Sequence, residues 1–230
     1  MPLLRSLLLP ATLLTLAACG AARAPRTAPP VADSYVMGAE AAKARARQDS
    51  ARYPYTQADI DFMSGMIHHH AQAIVISTWA ESHGASPAVL RLTGRIINAQ
   101  TDEIRLMQTW LEDRNQVPPR VDSLGNVVMD HAAHGGHDMG SMLMPGMLTP
   151  VQMDSLRAAR GRDFDVLFLQ YMIQHHRGAV GMVKTLFSSH GAGQNEAIFK
   201  FAADVEVDQT TEIRRMMQML LELGVMPASP

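Results

Sequence analysis

Between residues 57 and 83 the apolar positions fall into two neighbouring columns of helical spacing. One column is Phe62, Met66, His69, Ala73, Ile76 and Ala80; the other is Met63, Ile67, His70 and Ile74. Residues 163–190 repeat the arrangement with Phe168, Met172, His175, Ala179, Met182 and Leu186 beside Leu169, Ile173, His176, Val180 and Val183. Recurrence at three and four residues predicts amphipathic helices whose wide apolar stripe faces a core. Ser64, His68 and Gln72, or Gln174 and Arg177, take the opposite face, so His68 reads as solvated. The same spacing predicts helices over roughly 86–115 and 194–223, with shorter ones near 39–52 and 150–160. Thr149-Pro150 supplies the N-cap and first position of the last of these, and Gly161 its stop.

The two patterns are one pattern used twice. Set 106 residues apart, Asp59–Ala73 and Asp165–Ala179 agree at seven of fifteen positions: Asp59/Asp165, Phe62/Phe168, Met66/Met172, Ile67/Ile173, His69/His175, His70/His176 and Ala73/Ala179. A second match, offset by 109, aligns Gln100-Thr-Asp-Glu-Ile-Arg-Leu-Met107 with Gln209-Thr-Thr-Glu-Ile-Arg-Arg-Met216. A His-Gly pair lies between the matches in each copy, His83-Gly84 and His190-Gly191, and glycine there reads as a helix stop. Each copy is therefore helix, turn, helix. Two such hairpins, neither able to bury its apolar face alone, predict an all-α four-helix bundle. The expected organisation is a leader over 1–18, a tether over 19–35, hairpins over 36–116 and 150–230, and a connecting loop over 117–149.

Four imidazoles inside an aliphatic core need partners, since an unpaired buried polar group costs about 1–3 kcal/mol. Glu103, in register with Ile96 and Trp110, and Glu212, with Val205 and Met219, are flanked by apolar residues one heptad away and are expected to turn inward. The expectation is a polar layer of four His and two Glu crossing the bundle. Such a layer serves either of two ends. It is a structural His–Glu network fixing helix register, or it is a metal site with Met66 and Met172 one turn before the histidines. Imidazole with thioether suits Cu(I), and Ag(I) is similarly soft.

Composition sharpens the second possibility. Seventeen methionines stand in a chain of 230 residues with only 5% aromatics, so methionine builds much of the core. Five of the seventeen lie in the connecting loop, where Met129, Met139, Met142, Met144 and Met147 accompany His131, His134 and His137 among glycines. A solvated loop has no packing use for oxidisable thioethers. Mixed His/Met tracts suit Cu(I) through sulfur and Cu(II) through nitrogen, although some of these methionines could instead dock on the bundle as an apolar flap. The net charge is −2 and no basic stripe exists, which argues against a nucleic-acid partner. A single cysteine rules out an internal disulfide or a Cys-rich metal site. It stands at Cys19, after Arg5, an apolar run from Leu7 to Leu16, and Leu16-Ala17-Ala18. That resembles a bacterial lipobox, so the expectation is export to the cell envelope or periplasm and a membrane anchor through lipidated Cys19, with residues 20–35 as an Ala/Pro-rich tether. No protein partner is indicated.

The segments Phe62-Met-x-x-Met-Ile-x-His-His-x-x-Ala-Ile74 and Phe164-Asp165-x-x-Phe-Leu-x-x-Met-Ile-x-His-His-x-Gly-Ala-Val180, with Met144-Pro-Gly-Met-Leu-Thr-Pro150 before the second, resemble the DUF305 family of bacterial envelope proteins over about residues 55–223. The resemblance implies a ferritin-like bundle, and a copper-related role because some members bind copper. The family pattern often places a Met seven residues after the first His of the pair; Met182 keeps it, while Ile76 departs from it. The metal ligands expected in this chain are accordingly His69, His70, Met66, His175, His176, Met172 and Met182 in the bundle. His131, His134, His137, Met139, Met142, Met144 and Met147 are those expected in the loop, and Glu103 and Glu212 orient the imidazoles. A ferritin-like di-iron oxidoreductase is disfavoured, because none of the ten histidines has Glu or Asp three residues before it. No nucleophile triad or phosphate loop supports an enzyme. The readings in contention are an exported copper-binding lipoprotein and an envelope scaffold with a structural His–Glu core.

Overall fold

The computed structural model describes residues 39–52, 54–122, 127–128 and 143–226, all within one compact unit, Val36–Pro230. Six helices run along it: α1 Ala39–Arg52, α2 Gln57–Thr78, α3 Pro87–Glu112, α4 Pro150–Ala158, α5 Gly161–Ser188 and α6 Glu196–Glu222. Each hairpin packs on itself, α2 on α3 and α5 on α6, and the hairpins meet through α2 against α5. This is the expected all-α, ferritin-like four-helix bundle with a long connection between its halves. That connection holds a two-stranded antiparallel ribbon, β1 Arg120–Val121 and β2 Val127–Val128, which the sequence pattern did not suggest. Two-residue strands are too short to show a period of two.

The helix starts follow from side chains that accept otherwise orphaned N–H groups. Thr56 and Asp59 form a capping box on α2, Ser86 caps α3 ahead of Pro87, Thr149 and Gln152 box α4, and Asn195 caps α6. The stops differ from expectation. α2 ends at Thr78, and the chain then continues through hydrogen-bonded turns to Gly84, so the glycine closes the turn and not the helix.

The repeat is visible in how each hairpin ties down the other's turn. Asp59, buried on α2, accepts from the Gly193 N–H in the α5–α6 turn at 2.8 Å. Its counterpart Asp165, buried on α5, accepts from the Ser86 N–H in the α2–α3 turn at 3.1 Å. The two hairpins are thus clasped reciprocally at both ends of the α2–α5 contact. His83 adds a tie outside this symmetry, donating through Nε2 to the Arg157 carbonyl at 2.9 Å.

The apolar core lies in two clusters. Phe62, Met63, Met66, Met107, Trp110 and Phe201 are in one; Ile76, Leu92, Phe164, Phe168, Met172 and Met216 are in the other. No helix among the described residues is long and apolar enough to cross a membrane.

Candidate metal centre

α2 and α5 bring four imidazoles into the bundle at one level. His69, His70, His175 and His176 are completely buried, as are Met66 and Met172 one turn before them. The two heptad columns read from the sequence are the buried faces of α2 and α5, except that Met182 and Val180 are half-buried. His69 and His175, one from each copy, lie against each other with ring centroids 3.7 Å apart and planes tilted by 39°. Each stands about one ring further from its own neighbour, His69 to His70 at 6.4 Å and His175 to His176 at 6.3 Å.

The second helix of each hairpin closes the outer members. His70 Nε2 is 2.6 Å from Glu103 Oε2, and His176 Nε2 is 2.6 Å from Glu212 Oε2. A carboxylate accepts, so a proton sits on Nε2 of each outer ring. His69 follows the same rule with a different partner, its Nε2 donating to the Pro145 carbonyl at 3.1 Å. His175 makes no well-formed hydrogen bond on either nitrogen, the His69 backbone lying close enough only to oppose its pKa shift weakly, and Nδ1 of all four rings is unpartnered. Five buried ring nitrogens therefore lack hydrogen bonds in a region walled by aliphatic and thioether groups.

The electrostatics keep the central pair neutral. Burial, reinforced by the neighbouring imidazole of His70, pushes the His69 pKa down to about 3. Burial first, then the adjacent His69 and the other two rings, pushes His175 well below the ordinary range. A neutral imidazole is the form that ligates a metal. The donor set suits a soft cation: uncharged nitrogen lone pairs with Met66 and Met172 beside them on the same helices, and carboxylates held off by their hydrogen bonds to the outer rings. Among the described residues no three His, Asp or Glu side chains converge on one point at ligand distance. A centre built here would use few nitrogens, a coordination Cu(I) tolerates when thioethers complete it.

A short strap covers the site. Met144-Pro145-Gly146-Met147 makes a turn closed by Met147 N–H to the Met144 carbonyl at 3.0 Å, with Gly146 at φ +79°. Gln72 clamps the next residue with both ends of its amide, accepting from Leu148 N–H at 2.7 Å and donating to its carbonyl at 3.0 Å. Gln174 donates to the Gly146 carbonyl at 3.2 Å from the other helix. The face carrying Gln72, Gln174 and His68 is therefore half-buried and not solvated as the pattern had suggested; burial also lowers the His68 pKa.

Of the expected loop ligands, Met144 and Met147 are half-buried in the strap. His131, His134, His137, Met139 and Met142 lie outside the described residues, as do Cys19 and the leader. Met182, with Pro145, Phe62 and Leu186, lines a cavity of about 350 Å³ beside the strap. Sequence reasoning missed Gln72, Gly178 and Pro145, whose part in the site depends on contacts between the bundle helices and the strap that lie far apart along the chain. It also passed over Gln100 and Gln209, both buried with an unpartnered Oε1, which the repeat had aligned one turn before the two glutamates.

The model of the family termed domain of unknown function DUF305 matches residues 59–220. A DUF305 protein from Streptomyces coelicolor, with a proposed secreted location, is 29% identical and superposes with a TM-score of 0.60 over 75% of this chain and 98% of its own. CopM is 25% identical in its Cu(I)-bound form and 27% in its Cu(II)-bound form, each with a TM-score of 0.52 over 72% of this chain and 96% or 97% of CopM. CopM is also similar in a silver-bound form, with a TM-score of 0.51. An uncharacterised protein, L153, of Acanthamoeba polyphaga mimivirus is 39% identical over 62 residues, 26% of this chain; the match spans about two fifths of that relative's length, 41%.

Proposed function

The chain belongs to the DUF305 family, and from that premise we propose that it is an extracytoplasmic copper-binding protein, able also to take silver, that sequesters the ion or passes it on. The observation that carries this reading is His175. A buried imidazole with neither nitrogen in a well-formed hydrogen bond, its ring centroid 3.7 Å from that of a second imidazole with a bare Nδ1, is costly unless something binds there. The ion is the cargo. His69 and His175 would supply nitrogen, Met66 and Met172 sulfur, and His70 and His176 would stand behind them, oriented by Glu103 and Glu212. The similarity to CopM in Cu(I), Cu(II) and silver forms supports the choice of metal.

The His/Met tract over 129–147 would capture the ion, with nitrogen able to hold Cu(II) and sulfur Cu(I). Lipidation at Cys19 would keep the protein at a membrane of the envelope. We read it as a binding protein and not an enzyme: among the described residues of the site no side chain stands as a nucleophile beside the His–Glu pairs.

A second reading has its own support: the closed pairs His70–Glu103 and His176–Glu212 are what a register-fixing structural network requires, and no three-ligand group is present among the described residues. Cu(I) and Ag(I) titration separates the two. The full chain is compared with a variant lacking residues 129–142 and one with His69, His70, His175 and His176 changed to Ala. Tight binding that survives the deletion and fails in the histidine variant supports the core site. Binding lost with the tract alone assigns the metal to the tract and leaves the core structural. Absence of binding in every form rejects the copper reading in favour of the scaffold.

A further inference from the structure

The two copies of the repeat are not used alike, and the difference is concentrated where the strap lies. Gln72 and Gly178 occupy equivalent positions 106 residues apart, each two residues after its His pair. Each is needed as it stands. Gln72 holds Leu148 by two hydrogen bonds. Gly178 gives the turn its room: a Cβ there would sit 1.8 Å from the Pro145 carbonyl oxygen and 2.7 Å from the Gly146 Cα. Exchange of the two residue types would remove the clamp from one helix and block the turn on the other. The outcome is that His69 Nε2 meets the Pro145 carbonyl, while His175, its counterpart, makes no well-formed hydrogen bond.

Resting on the copper reading above, we infer that the strap Met144–Thr149 is a positioning element that makes the two central ligands unequal. Pro145, seated by Gly178 and Gln72, holds His69 as the Nε2–H tautomer, so Nδ1 is its fixed ligand nitrogen. His175 is the adjustable ligand. It carries its proton on either nitrogen and turns to complete the coordination that the two rings cannot provide as they lie. A fixed ligand lowers the ordering cost of binding, and an adjustable one permits the ion to enter and leave. The strap is also the C-terminal end of the His/Met tract, so the same backbone that bears Met144 and Met147 sets the nitrogen His69 offers.

The test uses the full chain with ¹⁵N-labelled histidine. Ring-nitrogen correlation spectra of the metal-free protein report each tautomer, and competition with a chromophoric chelator reports Cu(I) affinity. Two variants unseat the strap differently: Gly178→Ala blocks the turn, and Gln72→Leu releases Leu148 without adding bulk. In the wild type His69 is expected as a single Nε2–H form. Both variants are expected to convert it to a mixture, leaving His70 and His176 unchanged, and to weaken Cu(I) by about 10–100-fold, the range typical of losing a group that orients a ligand. Gln72→Leu keeps the test decisive if Gly178→Ala folds poorly.

An unaltered His69 tautomer in Gln72→Leu overturns the proposal. So does a shifted tautomer with unaltered Cu(I) affinity, because the strap would then position nothing that matters to the ion. If the wild type binds neither Cu(I) nor Ag(I), the copper reading fails, and the role of His69 as a ligand with it. The tautomer spectra still decide by themselves whether the strap fixes that ring.

Discussion

Acidification of the metal-free protein isolates the cost of the buried histidines. An unfolded histidine takes up a proton near pH 6.5, whereas folded His69 resists it until about pH 3. The folded-state pKa is lowered, so stability is complete above about pH 6.5 and is lost as the pH falls towards 3. Between pH 7 and pH 5 the unfolded form gains nearly one proton at this residue that the folded form does not. At 1.36 kcal/mol per pH unit below 6.5, His69 alone removes about 2 kcal/mol of stability. His175 shifts in the same direction and adds to it. A single-domain protein has about 5–15 kcal/mol in all, and for this chain length each kcal/mol moves the melting temperature by about 2–4 °C. Urea denaturation at pH 7, 6 and 5, read by circular dichroism, should show the midpoint falling steadily. The double variant His69→Leu/His175→Leu should be flatter by at least 2 kcal/mol over that range. Parallel slopes in wild type and variant would refute the argument, because the two rings would then titrate alike in folded and unfolded chains. Saturation with Cu(I) should raise the wild-type curve and leave its slope unchanged over this range, because the folded rings are neutral with or without the ion.

Three further outcomes follow from the contacts. Glu103→Ala and Glu212→Ala each leave a buried Nε2–H without its acceptor and should cost about 1–3 kcal/mol in urea denaturation, with Gln in place of Glu recovering part of the loss. Asp59→Ala should cost more than Asp165→Ala, about 2 against about 1 kcal/mol, because Asp59 accepts from Thr56 and Gly193 together while Asp165 serves Ser86 alone; equal melting temperatures would show that the capping bond adds nothing. Met66→Leu with Met172→Leu conserves volume and should change stability by less than about 1.5 kcal/mol, yet should weaken Cu(I) more than Cu(II) if the thioethers are ligands.

Much of this fold was legible because the repeat doubled every signal. Phe62, Met66 and His69 share a column in one copy and Phe168, Met172 and His175 share it in the other, and a pattern met twice at one offset is unlikely to arise by chance. The inward turn of Glu103 and Glu212 followed from their apolar neighbours one heptad away, and both meet the histidines expected of them. Legibility ended where the copies interact. The contact of His69 with His175 depends on how α2 crosses α5, which periodicity within one helix does not encode. The half-burial of His68 and Gln72 was hidden because a loop, not a helix, covers that face, and a loop has no period. The difference Gln72/Gly178 was present in the alignment as one mismatch among eight, and only the strap gives it meaning.

The choice between a structural network and a metal site turns on what a structural network would leave undone. Its purpose is to satisfy buried polar groups mutually. Glu103 with His70 and Glu212 with His176 meet that standard at their Nε2 atoms, and these two pairs alone would suffice to fix the register of both hairpins. His69 and His175 add nothing to that task. They introduce two more polar rings at the point where the copies meet, one held by a backbone carbonyl that the six-residue strap must deliver, the other by no well-formed hydrogen bond. Leucine at either position would pack in the same aliphatic wall without a polar penalty of about 1–3 kcal/mol. A central pair that weakens the apo fold, stays neutral through the physiological range and leaves its lone pairs bare has the properties of a ligand pair awaiting a cation. On the copper reading, stability withheld from the empty protein would be returned on binding, and the bundle would be most fully formed when loaded.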